Sequence, residues 1–433
     1  MKKNKKTSIE KMYVFAGFKF AEYIEMDTFK ERISNDLDIE INELTNLGDI
    51  FSKIHMENPD LEKKLNEIFF ENILYSHLKH VYIDEFNTKL KVSQFKQNMK
   101  KVIESLNHND NIPSALYPEM SEEGFFLMDS LNVSSINSKF IAGFDYEANG
   151  EELINARIIF VEVVPTGDRT EYFVAGIDID FKSNTYLTMI RTKQDIKKLD
   201  NEEENQKLDK TTYQLYKRVK DNIIADLLYN TQTIDVKKDR LSMYNLCKNL
   251  DEQLLKDIRA EVISRTSSSV SSSVKQLISD LFPSGKKPKK HDRDKLEENI
   301  SSLLIANYIK TNYKGKDLVK MAKGKKLVGY PTKIKFTSNK ANRGSTQSSS
   351  SKQPVSASDM FHSLYISFRD ALGLEQWSIS WFTDYEFKNP KDFDVIQTTI
   401  YSKSTYFEVV FKPTRPLNKE IIYHVVKYLN NHR

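Results

Sequence analysis

A single cysteine, Cys247, stands in a chain of 433 residues. It excludes an intramolecular disulfide and a cysteine-based zinc site within one chain, and it fits a reducing compartment. Glycine is scarce too, at 13 residues with no cluster among them. Neither G-x-x-x-x-G-K-[ST] nor G-x-G-x-x-G occurs, so P-loop nucleotide turnover and Rossmann cofactor binding lack their phosphate cradles. Long apolar runs are missing. Stretches such as Leu303 to Ala306 fall far short of the roughly 20 residues needed to span a bilayer. The opening MKKNKKTSIEKMYVFAGFKFAEYIE is basic and then apolar, but Lys19 and Glu22 interrupt it and no small-residue cleavage pattern follows. These absences lead us to expect a cytoplasmic protein with no membrane partner.

Core material is plentiful. A hydrophobic share of 39% and an aromatic share of 11% are too high for a mostly disordered chain. The length exceeds what one hydrophobic core usually serves, so two or three domains are expected.

Periodicity divides the chain into an α+β succession of segments. Residues 1–142 read as a mainly helical N-terminal region. Apolar residues recur at helical spacing from Leu61 to Tyr82, behind the start signal Asn58-Pro59-Asp60, and again from Phe95 to Leu106. Within 143–263 the period falls to two. Ala156 to Val164, Glu171 to Phe181 and Thr185 to Arg191 read as an antiparallel meander, because their short connections cannot carry a parallel crossover. Helices follow at Tyr213 to Leu228 and Leu241 to Val262. Residues 264–284 begin with a Ser-rich run and read as linker or helix, and 344–358 read as a second, flexible Ser-rich linker. Residues 359–433 read as a small α/β domain with a helix, three strands and a closing helix.

The segment 285–343 between the two Ser-rich stretches reverses the sign of the protein. It carries 17 Lys and Arg against 5 Asp and Glu, whereas the rest carries 48 against 56. A concentrated cationic patch attracts a polyanion at long range, and nucleic acid is the polyanion expected. A helix at Leu296 to Ile309, a second at Lys316 to Lys323 and a strand at Thr332 to Thr337 give the outline of a winged-helix-like module. Lys314, Lys316, Lys320, Lys323, Lys325, Lys326, Lys333, Lys335, Lys340 and Arg343 are the candidate phosphate contacts. Lys outnumbers Arg 15 to 2 here, which suits contact with a backbone, expected to be that of DNA, better than base readout. Tyr308, Tyr313, Tyr330 and Phe336 lie among the lysines, where they could stack on unpaired bases or form a small core.

A second candidate lies on the meander. In Gly176-Ile177-Asp178-Ile179-Asp180-Phe181-Lys182, strand alternation puts Asp178, Asp180 and Lys182 on one face. This resembles the D...(D/E)-x-K constellation of the PD-(D/E)xK nuclease superfamily. The resemblance implies a Mg²⁺-dependent nuclease, with Glu162 on a neighbouring strand completing the metal site. A half-exposed strand shows the same alternation without any chemistry, and Asp384, Glu386 and Lys388 repeat a similar string. His77, His80 and Asp84 would share a face if the Leu61 to Tyr82 helix continued through them. Cys247 lies among Leu246 and Leu250 and reads as a packed thiol.

The sequence therefore points first to a nucleic-acid-binding accessory or sensing protein that needs no cofactor, with an acidic remainder suited to a protein partner. A composition rich in Lys, Asn and Ile fits an AT-rich bacterial source, and mobile-element biology or phage defence is consistent with it. The alternatives are the nuclease and a protein-interaction scaffold whose basic segment meets an acidic partner.

Overall fold

The period-two stretches between Ala156 and Arg191 form the centre of an antiparallel sheet. The computed structural model describes residues 13–41, 43–106, 124–196, 211–232, 234–283, 285, 287–338, 343–350, 352–412 and 415–433. With about 49% helix and 25% strand in antiparallel pairing, the protein is α+β. It forms two units, Met1–Gln232 with Pro416–Lys419, and Thr233–Arg415 with Glu420–Arg433.

In the first unit the strands are β1 (His80–Glu85), β2 (Phe125–Phe126), β3 (Lys139–Asn149), β4 (Glu152–Thr166), β5 (Arg169–Asp180) and β6 (Thr185–Ile190). Their spatial order is β2-β3-β4-β5-β6-β1, each pair antiparallel. On one face lie α1 (Met26–Leu37), α2 (Leu47–Glu57) and α3 (Glu62–Ser76). Phe69 of α3 meets Phe29 and Phe51 there, with ring centroids 5.8 and 5.3 Å away. The other face is covered by α4 (Val92–Leu106) and α5 (Thr212–Val219), which runs through a π-turn at Lys220–Ile224 into α6 (Ala225–Leu228). Because helices cover both faces, β4 is buried without interruption from Ala156 to Pro165. The meander is therefore not the half-exposed sheet that the alternation of Asp178 and Asp180 suggested.

The close approach of α3 depends on Gly176. A Cβ there would lie 2.6 Å from Leu74 Cδ2 and 2.8 Å from Leu78 Cδ1. Gly176→Val is expected to destabilise the protein by about 1–3 kcal/mol through overpacking. The check is a lower denaturant midpoint with an unchanged slope.

The helix read from Leu61 to Tyr82 ends at Ser76, and His80–Glu85 is strand β1, paired with β6. The run Val81-Tyr82-Ile83 has apolar content that serves either structure, and sheet pairing decides it. In the second unit, β7 (Gly329–Ser338), β8 (Arg343–Gln347), β9 (Ala371–Phe382), β10 (Val395–Ser402) and β11 (Phe407–Phe411) form an antiparallel sheet in the order β11-β10-β9-β7-β8. The basic segment and the C-terminal strands thus share one sheet, since β7 is bonded to both β8 and β9.

The helices of this unit are α7 (Val236–Leu281), α8 (Lys290–Asn312), α9 (Gly315–Gly324), α10 (Asp359–Ser363), α11 (Tyr365–Arg369) and α12 (Lys419–Asn430). The Ser-rich run Ser264–Ser273 lies inside α7 as helix. Val270, Val274 and Ile278 repeat along one face and pack with Ile300 and Leu304, which offsets the weak helix propensity of serine. The second Ser-rich stretch contributes β8 and a 3₁₀ turn at Val355–Ala357. Trp381 packs on Tyr428 of α12, and Arg433 makes a two-pronged ion pair with buried Asp239 at 3.0 and 3.1 Å. Cys247 is fully buried, and burial pushes its thiol far above the ordinary value. Among the described residues, no helix is long and apolar enough to cross a membrane.

Candidate nucleic-acid interface

The structure sorts the basic segment into two sets of cations. One set is committed to carboxylates. Lys295 pairs with Asp370 at 2.7 Å, Lys310 with Asp359 at 3.0 Å and Lys325 with Asp257 at 2.8 Å. Lys325 also donates to the backbone carbonyls of Gln253 and Leu254 near the middle of α7. Lys323 is 4% exposed, 2.8 Å from Asp384 and over the rings of Phe382 and Phe387. Neither Lys323 nor Lys325 is placed as a free phosphate contact, because each tethers one part of the fold to another.

The other set includes, among the candidate phosphate contacts, Lys314, Lys316, Lys320, Lys326, Lys333, Lys335 and Arg343, none of which forms an ion pair with a described residue. Lys314 precedes α9, and its backbone N–H donates to Asp317, leaving the side chain exposed. Lys316 and Lys320 lie one turn apart on the exposed side of α9. Lys326 takes the left-handed conformation at φ 54° just past the helix. Its N–H bonds Lys323 and the next N–H bonds Ala322, a Schellman closure that leaves its side chain in solvent. Lys333 and Lys335 share one face of β7. Their cross-strand partners are uncharged, Ser378 and Gln376 on β9 and Gln347 and Ser345 on β8. Arg343 is exposed at the start of β8, and Lys340 lies outside the described residues. Of the interleaved aromatics, Tyr330 and Phe336 are core residues at 1% and 2% exposure and cannot stack on bases, while Tyr308 and Tyr313 pair with each other near the surface.

Asp384 gives this unit a measurable pH response. The Lys323 ammonium and the backbone N–H groups of Asn389 and Lys388 pull its carboxyl down to about 2. A depressed folded-state value means that the stabilising contribution is present above the unfolded value of 3.8 and is lost as pH falls toward about 2. The amide resonances of Lys388 and Asn389 are expected to titrate in that window. Titration near 3.8 would show the pairing absent.

The meander carboxylates are arranged differently. Arg157 of β4 is opposite Asp145 of β3 and Asp178 of β5, so the three lie in a row on the face under α3. Arg157 donates through Nε to Asp145 at 2.9 Å and also bonds Asp145 and Glu71 through its terminal nitrogens. Glu71 is further paired with Arg32. Burial works against the Arg157 charge, but Asp145 and Glu71 hold the guanidinium protonated above its ordinary value. Burial also pushes Asp145 above the usual carboxylate range despite Arg157. For Glu71 burial is outweighed, and the two arginines hold it below that range. Asp178, 1% exposed, accepts from Tyr75 at 2.6 Å and from Asn155 at 2.8 Å.

The other members of the nuclease constellation are elsewhere. Asp180 accepts the Lys182 and Ser183 N–H groups and the Ser183 hydroxyl, capping the turn after β5. Lys182 lies in that turn, beyond the strand. Glu162 is five residues from Arg157 on β4 and therefore on the opposite face, where it pairs with Arg218 at 2.7 Å. The structure does not bring Glu162 or Lys182 to Asp178. Asp384, Glu386 and Lys388 lie in a turn. His77, His80 and Asp84 also separate: His77 faces Glu25, His80 bonds Thr192 at 2.8 Å, and Asp84 is buried with Lys220 and Tyr216. Among the described residues, no group of three or more His, Cys, Asp or Glu side chains is placed to hold a metal ion.

Comparison with protein-family models, curated proteins and solved structures finds no match. The functional reading therefore rests on the chemistry of these residues. The sequence could not separate Lys323 and Lys325 from the exposed set, because their carboxylate partners lie about 60 to 70 residues away.

Proposed function

We propose that this is a cytoplasmic nucleic-acid-binding protein, whose second unit holds the sugar-phosphate backbone, most readily that of duplex DNA. It would act as an accessory or sensing factor rather than as an enzyme. One observation carries the reading: seven of the candidate cations form no ion pair with a described residue, although neighbouring lysines of the same segment find carboxylates. Unpaired surface ammonium groups gain by displacing condensed counterions from phosphates, and they do so without reading sequence. The scarcity of arginine supports backbone contact over bidentate base recognition.

The test is fluorescence anisotropy of labelled duplex and single-stranded DNA and RNA against the full chain over a salt series. The reading requires log K to fall linearly with log salt, by about 0.9 per phosphate contact on duplex DNA. Curves flat at near-physiological salt would transfer the basic surface to an acidic protein partner. Cleavage dependent on Mg²⁺ would revive the nuclease reading.

A further inference from the structure

A cavity of about 450 Å³ opens in the second unit between α7, α8, α10 and α11, within the range that holds small ligands. Ile263, Ile305 and Ile366 supply apolar walls. Tyr365 also lines it, with the Arg259 guanidinium 4.3 Å from the ring centroid. Arg259 is anchored by Asp251, a carboxylate 1% exposed and 2.8 Å away, and its Nε is buried with no hydrogen-bond partner among the described residues. A second guanidinium, Arg369, is held by Glu298. Asp294 and Glu297 add two more acceptors from α8, so the lining carries two arginines against three carboxylates.

That balance disfavours a phosphate group. Isoleucine walls and the Tyr365 ring, with guanidinium donors and carboxylate acceptors, instead suit a neutral, planar heterocycle that both donates and accepts. We propose that the cavity binds a purine base, guanine in preference to the others. The N1–H and N2–H groups of guanine present two donors to one carboxylate, and its O6 and N7 present two acceptors to one guanidinium. Adenine, cytosine and uracil each lack at least one of these two-pronged edges. The base can come from a free nucleoside or from an unpaired position in a strand. Asp294 is one helical turn from exposed Lys290, about 6 Å along α8, so a backbone held there would pass close to the opening. The inference does not rest on the lysine surface, since a free nucleoside would bind without it.

The experiment has two arms on the full chain. Calorimetric titration with guanosine, adenosine, cytidine and uridine tests the free source. Anisotropy of an oligo-dT strand with and without one central dG tests the strand source. Preference for guanosine, or for the dG strand, by about tenfold or more is expected. Ser301→Trp, whose indole fills the cavity, is expected to abolish that preference, and Glu297→Gln to reduce it. If Ser301→Trp does not fold, as judged by its melting curve, Glu297→Gln decides. Absence of a guanine preference in both arms overturns the inference, as does a preference indifferent to the substitutions. Salt-sensitive binding of plain oligo-dT, with no gain from dG and no preference for guanosine, would overturn the cavity proposal alone and leave the surface reading standing.

Discussion

Replacing Arg157 with methionine is expected to cost about 3–5 kcal/mol of stability, the usual result of removing one partner from a buried ionic group. Arg157 is 8% exposed and is the shared partner of Asp145 and Glu71. Methionine fills a similar volume, so the loss would come chiefly from Asp145 left in a poorly solvated layer without its cation, while Glu71 keeps Arg32. The pH dependence separates this cause from a packing defect. Without Arg157, nothing opposes the burial that already raises the Asp145 carboxyl, so it is tolerated when protonated and becomes costly as pH rises through the raised value. The gap between the variant and the parent should widen between about pH 4 and 8 in denaturant titrations. A gap that stays constant would assign the loss to shape alone.

The largest effect on binding is expected from Lys314, Lys316 and Lys320 changed together to glutamate. If each contacts one phosphate, the salt slope on duplex DNA should shrink by about 0.9 per residue. Affinity at roughly 0.15 M salt should then fall about a hundredfold, with more from repulsion by the new carboxylates. All three side chains are exposed and free of ion pairs with described residues, so the melting temperature should not change. Lys323 and Lys325 would be misleading probes, since their substitution releases Asp384 and Asp257 and perturbs the fold. An unchanged slope in the triple variant would remove α9 from the interface.

Much of the fold was legible where its signals are local. The meander announced itself through β-branched runs joined by loops too short for a crossover, and the two helices and strand of the basic segment through their own periods. Strand β1 was hidden because His77 to Tyr82 extends the helical spacing of α3, and only pairing with β6 distinguishes the alternatives. Helix α7 crosses ten residues of mostly serine because α8 supports Val270 and Val274, a long-range contact that composition cannot express. The same limit applies to the sites. Asp178 and Asp180 do share a strand face, as alternation requires, but the face of Glu162 follows from the register of β4 against β5. The lysines of the basic segment are equivalent in the sequence until the fold delivers carboxylates to some of them.

That register has a consequence for how the chain finds its fold. From Ile158 to Val164 strand β4 offers apolar side chains to both layers, with Glu162 the one interruption. Sliding β4 by one residue would exchange one greasy surface for another, so hydrophobicity alone discriminates poorly between pairings. The row Asp145, Arg157 and Asp178 does discriminate, because a slipped strand would leave Arg157 facing the wrong layer and Asp145 without a counter-ion. The ionic row would thus act against a one-residue slip even where its net contribution to the correct pairing is small.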